Sequence, residues 1–420
     1  MKAKDIFKDE GFIECLEYST FDEKGNHIKI FNDKGKIIEE NIDKVVYINC
    51  FNHWITNING ISIFKNLEIL KLSYNRIKRL PNEIGNLKNL KELDLSWNRI
   101  EKLPKEIWKL ENLKILDLKY NELQELPIEI FQLKALKELN LWSNWIETIP
   151  EEVEKLINLK VLNLSHNKIE EIPKEICNLK NLENLGLVWN QIKEIPKGIE
   201  KLINLEVLLL RYNKIEEIPK EIWKLENLKI LSLSHNQIKE IPKEVGKLKN
   251  LEGLNLGYNQ LQELPKEIFQ LENLKELYLV GNRIKEIPKK IGNLKNLKEL
   301  DLWYNQIKEI PKEIENLENL EKLDLDWNQL QWLPIEVLKL SKLKWLSLKK
   351  AFDLDNLKQE PEELFYILEQ LKEKNLFSNL SLDYLEEEVY SVLEKKIKTK
   401  YKITDLKKIK DSLNFDNLNF

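Results

Sequence analysis

The chain has 420 residues, a third of them charged, with 67 Lys and Arg against 71 Asp and Glu and a net charge of −4. That balance gives no global attraction to nucleic acid or to an anionic membrane. There is no run of about 18 apolar residues, and the start MKAKDIFKDEGF has no apolar core of the kind a secretory leader needs. With Cys15, Cys50 and Cys177 far apart and sharing no metal spacing, a reducing, cytoplasmic setting is the expectation.

In residues 1–43, Glu14 to Phe21 and His27 to Phe31 flank a Gly-containing turn, Asp22 to Asn26, and Asn32 to Lys36 offers a second turn. This pattern predicts a β-hairpin-like N-terminal cap. Residues 44–66 read as an imperfect copy of the repeat that begins at Leu67, with Val46, Ile48, Asn52, Ile61 and Phe64 in approximate register and no proline.

From Leu67 one 23-residue frame recurs, restarting at Leu90, Leu113, Leu136, Leu159, Leu182, Leu205, Leu228, Leu251, Leu274, Leu297 and Leu320. In all twelve copies the ninth residue is Asn and the fifteenth is Pro, which uses all but one of the 13 prolines. Leu stands at frame positions 1, 4 and 6, Ile or Leu at 11 and 14, Ile or Val at 18, and Leu at 21. A period this strict means stacked copies, none of which can bury its leucines alone.

The physics of one copy explains the frame. Positions 4 and 6 face inward from a short strand. The Asn at position 9 has donors and an acceptor for loop backbone of its own and the neighbouring copy, so stacked Asn residues form a buried polar ladder. The Pro suits the first turn of a short helix or 3₁₀ segment. A Glu two residues later, as in Glu106, Glu175 and Glu244, complements that N-terminus. Glu171, Glu194, Glu217 and Glu240 at position 13 and Lys174, Lys197, Lys220 and Lys243 at position 16 are expected to pair weakly across copies on the far side.

These residues resemble the leucine-rich repeat, pattern LxxLxLxxNxIxxIPxEIxxLxNL, in the 23-residue class seen in intracellular Ras-associated and prokaryotic repeat proteins. The resemblance implies an α/β repeat solenoid over residues 44–349: a right-handed curved array with a concave parallel β-sheet. It also implies binding as the usual activity; no enzymatic role and no cofactor are expected.

After Lys342 the frame restarts as LKWLSLKK and stops. From Pro361 the pattern turns helical, with Leu364, Phe365, Ile367, Leu368 and Leu371 on one face. A second helix is expected from Tyr384 to about Lys398 and a third from Thr404 to about Leu413. Residues 350–420 therefore read as a C-terminal helical cap or a small helical interaction module.

Binding residues are expected where the frame leaves side chains free: strand positions 3, 5 and 7, with position 8 at the rim. Copies two to four carry Glu92, Asp94, Asp117 and Glu138 there, and the last three carry Glu276, Glu299, Asp301, Asp324 and Asp326. Between them, over 159–273, Arg211 is the one charge at positions 3, 5 and 7. Position 8 is aromatic or His in most copies, which suits either a binding stripe or rings stacking on each other. An apolar centre with an aromatic border is how protein-binding surfaces are built. Val188, Trp189, Val207, Leu209, Arg211, Tyr212, Ile230 and His235 are the candidate partner-binding residues, with Trp142, Trp145, Trp303 and Trp345 able to extend them.

The expected partner is a protein or peptide on the concave face. The alternative, by analogy with the Ras-associated proteins, is regulation of a small GTPase or phosphatase through the same groove. Nucleic acid, membrane insertion and metal are not expected, and a monomer is. No Gly-rich phosphate loop or catalytic set of residues is present. His166 and His235 lie three copies apart, ~15 Å along a sheet, too far to share a metal.

Overall fold

The structure is a computed structural model and describes residues 2–374, 389, 391–393 and 395–396. Two compact units divide the chain, Met1–Leu231 and Ser232–Phe420.

The N-terminal unit opens with α1 (Ala3–Ile6) and α2 (Glu10–Tyr18), then β1 (Thr20–Phe21), α3 (Glu39–Ile42) and β2 (Tyr47–Asn49). One three-residue strand per copy comes next: β3 (Ile69–Lys71), β4 (Glu92–Asp94), β5 (Ile115–Asp117), β6 (Glu138–Asn140), β7 (Val161–Asn163), β8 (Asn184–Gly186) and β9 (Val207–Leu209). β10 (Ile230–Ser232) ends the unit, with Ser232 already in the next. β1 pairs antiparallel with β2, and from β2 to β9 each strand pairs in parallel with its successor, equivalent frame positions side by side from β3 on.

Each strand leads into a 3₁₀ turn instead of an α-helix. The Pro at position 15 stands just before that turn with φ near −65°, as in Pro104 (−68°) and Pro173 (−64°), and its carbonyl accepts the N–H three residues on. A crossover this short needs no donor where Pro sits, so its missing N–H costs nothing. Leucines at positions 1, 4, 6 and 21 and Ile or Val at 18 are buried throughout, as the frame predicts.

The Asn ladder forms as expected. Asn98 Nδ2 donates to the Leu72 carbonyl at 2.9 Å and the Leu95 carbonyl at 3.0 Å, while its Oδ1 accepts the Ile77 N–H at 3.0 Å. A second ladder runs at the entry to most strands, where the last residue of a copy, such as Asn112, donates to a carbonyl of the copy before, here Lys88, at 2.9 Å. The stripes at positions 13 and 16 do not pair with each other as expected. Cross-copy ion pairs recur instead at position 2, such as Lys160–Glu183 at 2.6 Å, with others at position 12, such as Lys193–Glu170 at 3.2 Å, and at scattered sites.

The cap differs from its expectation. Glu14 to Tyr18 is not a strand but the end of helix α2, because Asp9 caps it, accepting the Phe12 N–H at 2.9 Å. Phe12, Cys15 and Leu16 then form a buried helical stripe. The two turns are where the sequence puts them. Asp22 donates its N–H to the Asn26 carbonyl, Asn32 does so to Lys36, and Gly25 and Gly35 supply the left-handed φ. Phe7 stacks on Phe64 at 6.2 Å and meets Phe12 edge-on at 5.6 Å, so aromatic packing closes the apolar end of the first copy.

In the imperfect copy the strand frame starts at Val45, one residue later than the expected start at 44. Val45, not Val46, takes the first buried slot, and Cys50 takes a leucine slot. Asn52 stands at the left-handed residue before the Asn position, which His53 occupies. Cys50 is bonded to Cys15, with Cα atoms 5.4 Å apart, tying α2 to the end of β2. The expectation of a reducing setting rested on cysteines that looked unrelated, and this pairing removes that ground. Cys177 is buried and its thiol is pushed up to about 11 by that burial, which fits a packing role.

The C-terminal unit repeats the same architecture in β11 (Gly253–Asn255), β12 (Glu276–Tyr278), β13 (Glu299–Asp301), β14 (Lys322–Asp324) and β15 (Trp345–Ser347), parallel and in register. Beyond them α4 (Pro361–Glu373), with Leu364, Phe365, Ile367, Leu368 and Leu371 buried as predicted, packs on the last 3₁₀ turn, Ile335–Lys339. Gln359, fully enclosed, exchanges two hydrogen bonds with the Leu333 backbone and so fills the place of a ladder Asn. In the expected second helix, residues 391–393 and 395–396 are helical, and Val389 and Leu393 are buried. The expected third helix lies outside the described residues.

Removing one inner-ladder side chain strands a buried N–H and two carbonyls at once. Asn121→Ala is expected to cost about 3 kcal/mol or more, and Asn158→Ala, in the exposed ladder, under about 1 kcal/mol, in urea unfolding. Alkylation in denaturant without reductant is expected to label one cysteine, Cys177. Reduction should destabilise the unit by about 4 kcal/mol, given a bond spanning 35 residues.

Candidate functional site

The outward face of the sheet is built from positions 3, 5 and 7, and position 5 is not free. In β4 to β7 its side chain folds back to accept the N–H two residues on: Asp94 from Ser96 at 2.9 Å, Asp117 from Lys119 at 2.9 Å, Asn140 from Trp142 at 3.2 Å and Asn163 from Ser165 at 3.1 Å. This is an Asx turn, and it gives the acidic residues of the flanks a structural task. The signal was present in the sequence as Asp or Asn recurring at position 5.

That device lapses where the candidate residues lie. Position 5 is Gly186 in β8 and Leu209 in β9. A Cβ on Gly186 would stand 2.9 Å from Asn163 Oδ1 and 3.1 Å from Ser165 Oγ, so glycine lets both lean across. Ser165 Oγ then accepts the Val188 N–H at 3.1 Å, a cross-strand replacement for the missing turn. Beside Leu209 no replacement exists, and the Arg211 N–H has no acceptor among the described residues.

The structure brings seven of the eight candidates onto this face of the N-terminal unit. Val188, Val207 and Leu209 are half-buried and point outward, alternating with fully buried Leu187, Leu208 and Leu210. Ile230 is 43% exposed and Trp189 49%, both high for such side chains. The Arg211 guanidinium lies 5.5 Å from the centre of the Tyr212 ring, and no carboxylate among the described residues pairs with it. His235 belongs to the C-terminal unit, where it stacks on Tyr258 at 4.1 Å.

The rim answers the question of the aromatic stripe. Position 8 adopts a left-handed backbone, with φ between 51° and 58° from Tyr74 to Trp327 wherever it is not glycine. Bulky residues there cost roughly 1–2 kcal/mol each. In the N-terminal unit the rings stack: Tyr74–Trp97 at 4.9 Å, Trp97–Tyr120 at 3.6 Å and Trp189–Tyr212 at 3.9 Å, with planes within 25° of parallel. Each such pair contributes about 0.5–1.5 kcal/mol, comparable to the backbone cost. Where Ser143 interrupts the stripe, Trp142 fills in, edge-on to Tyr120 at 4.6 Å and to His166 at 5.4 Å. Ring faces are spent on each other, so the stripe is first of all part of the scaffold.

In the C-terminal unit the outward face is acidic. Lys322 and the Tyr278 hydroxyl both donate to Glu299, at 2.7 and 2.9 Å. Burial alone would raise Glu299, but these bonds outweigh it and hold it below the usual carboxylate range. Burial raises the Tyr278 phenol, and the Glu299 bond raises it further. Asp324 is pushed up to about 7 by burial, with Asp326 and Asp301 repelling its charge, and burial raises both of those neighbours too. Among the described residues no group of three or more His, Cys, Asp and Glu is placed to hold a metal ion, and no helix is long and apolar enough to cross a membrane.

Asp324 binds a proton in the folded unit at a pH where the unfolded chain, near 3.8, has lost it. Stability should therefore fall as pH rises from about 4 to 7. Asp324→Asn keeps the oxygen that accepts the Asp326 N–H and removes the charge. A thermal midpoint above wild type at pH 8, with a flatter pH profile, is the expected outcome.

A family model for a leucine-rich repeat region matches residues 44–144, 218–305 and 289–387, and one for a leucine-rich repeat matches 134–192 and 190–238. No curated protein matches the chain. Among solved structures, a leucine-rich repeat protein of Leptospira interrogans is 45% identical with a TM-score of 0.66, over 69% of this chain and 74% of its own. The plant peptide hormone receptor RGFR1, solved with RGF2, is 31% identical with a TM-score of 0.60, over 69% of this chain and 54% of its own. An internalin of Listeria monocytogenes, at 24% identity and a TM-score of 0.72 over 82% of this chain and 96% of its own, shares the fold. The repeat frame, the parallel in-register sheet and these matches together show that the chain belongs to the leucine-rich repeat family, a protein-interaction fold.

Proposed function

We propose that the protein is a non-enzymatic binding module that takes a protein or peptide partner on its strand-lined face, the concave one in this family. One observation carries the reading: the aliphatic set Val188, Val207, Leu209 and Ile230 stands together on an outward face where β4 to β7 carry Asp or Asn at position 5 and β4 and β6 carry Glu at position 3. Exposed aliphatic side chains side by side promote aggregation unless something covers them. Trp189 and Tyr212 border the set, in the arrangement of an apolar centre inside an aromatic and polar margin. Support also comes from RGFR1, a peptide hormone receptor whose fold this chain shares. Regulation of a small GTPase or phosphatase would be one form of the same binding.

Leu209→Asp tests the reading, because it places a charge at the centre of the patch without entering the core. The variant is expected to fold, by circular dichroism, and to lose the proteins that wild type retains from its host's lysate. Glu194→Ala, at an exposed position away from the strands, should retain them. Retention of the same proteins by Leu209→Asp would sink the proposal.

A further inference from the structure

We infer that the partner presents a carboxylate flanked by aliphatic side chains, received by Arg211 through both its guanidinium and its backbone N–H. The inference rests on the binding face just proposed and specifies what that face recognises.

Two independent features of Arg211 converge on one kind of ligand. Its guanidinium lies on an outward face otherwise made of Val, Leu, Ile, Gly, Ser and Asn, and among the described residues no carboxylate pairs with it; its contact is the Tyr212 ring at 5.5 Å. Several lysines along the chain's outer edges have a Glu one copy away, as Lys160 has Glu183 and Lys229 has Glu206. Arg211 has no such carboxylate among the described residues. The second feature is the open N–H. In the four strands β4 to β7 an Asp or Asn oxygen from position 5 closes the N–H of position 7, and in the next strand Ser165 does it from the side. Leu209 has no oxygen to offer, so the Arg211 N–H keeps the direction in which its counterparts hold a carboxylate or amide oxygen.

A carboxylate supplied by a partner would restore what the sequence has removed. One oxygen takes the N–H, as Asp117 does for Lys119, and the other faces the guanidinium, a charge-assisted bond of the stronger kind. Val188 and Leu209 border that point, with Val207 and Ile230 further along the same face, and they receive aliphatic groups beside the acid. Their low polarity strengthens the ion pair by excluding water. A neutral partner would leave the guanidinium desolvated and unmatched, which is costly, so the face discriminates against it. The occupant is an Asp- or Glu-bearing protein segment with Leu, Ile or Val beside the acid.

The test uses a phage-displayed library of random dodecapeptides panned on the full chain, followed by synthetic peptides from the enriched set. Enriched sequences are expected to share an Asp or Glu adjacent to aliphatic residues. Changing that acid to its amide, or Arg211→Glu in the protein, is expected to weaken binding at least about tenfold, and Arg211→Lys to weaken it less. Circular dichroism of each variant controls for folding. Peptides that bind wild type and are lost with Leu209→Asp, yet are indifferent to Arg211→Glu, overturn the carboxylate while leaving the binding face standing. Peptides indifferent to both variants overturn the face as well, and a library that yields no enrichment overturns the inference.

Discussion

The structure depends on one buried side chain per copy. The Asn at position 9 lies inside the stack, and it bonds backbone groups of two copies at once, as Asn190 does with the Leu164 and Leu187 carbonyls and the Ile169 N–H. A strand of three residues and a 3₁₀ turn leave more loop backbone than their own hydrogen bonds can satisfy. Without a side chain of this shape, those buried groups would each cost about 1–3 kcal/mol. Asp has no donor, and Gln, one methylene longer, takes the role only past the last full copy, at Gln359. The same bonds fix the spacing from copy to copy, and the leucines need only fill the volume that this spacing leaves.

The ladder also constrains the residue just before that Asn. To turn its side chain inward, the chain passes through a left-handed residue, a conformation for which glycine is the usual choice. Glycine stands there in one full copy, Gly281, and the space its side chain would take is filled by the Tyr258 ring at 2.7 Å. Elsewhere the rim carries rings whose stacking offsets the backbone cost. The aromatic stripe thus belongs to stability before it belongs to recognition, and half-exposed Trp189 is available to a partner only by its edge and its solvent side.

The fold was legible because period and burial coincide: Leu, Ile, Asn and Pro each recur for a reason that a single copy already contains. What escaped the sequence lies where a residue answers to something outside its own copy. Cys50 looked like a stray thiol because its partner, Cys15, is on a helix that the turn signals around it disguised as a strand. Val45 and Val46 are equally apolar, and only pairing with the next strand decides which is buried. The entry ladder of Asn112, Asn158 and their equivalents shows in the sequence only as a recurring letter, since an exposed Asn needs no explanation until its acceptor is seen. The candidate site was legible as a change of composition, but not the reason that change matters, because position 5 read as free when it is bonded in the flanking strands.

That last point alters what the apolar window means. If outward residues were unconstrained, Val, Gly and Leu replacing Asp and Asn would be drift on an idle surface. They are constrained: each Asx at position 5 closes a backbone N–H, so losing it has a cost that drift alone must overcome. In β8 the loss is made good by Ser165 and a glycine that gives it room, a two-residue accommodation. In β9 it is not made good, and the residue left with the open donor is the arginine. A local defect in the scaffold thus coincides with a lone cation and a cluster of exposed aliphatic groups on the same strand and its neighbours. Three departures from the frame within two copies are explained together by a ligand that supplies the missing oxygen, whereas as independent accidents each would weaken or expose the sheet for nothing.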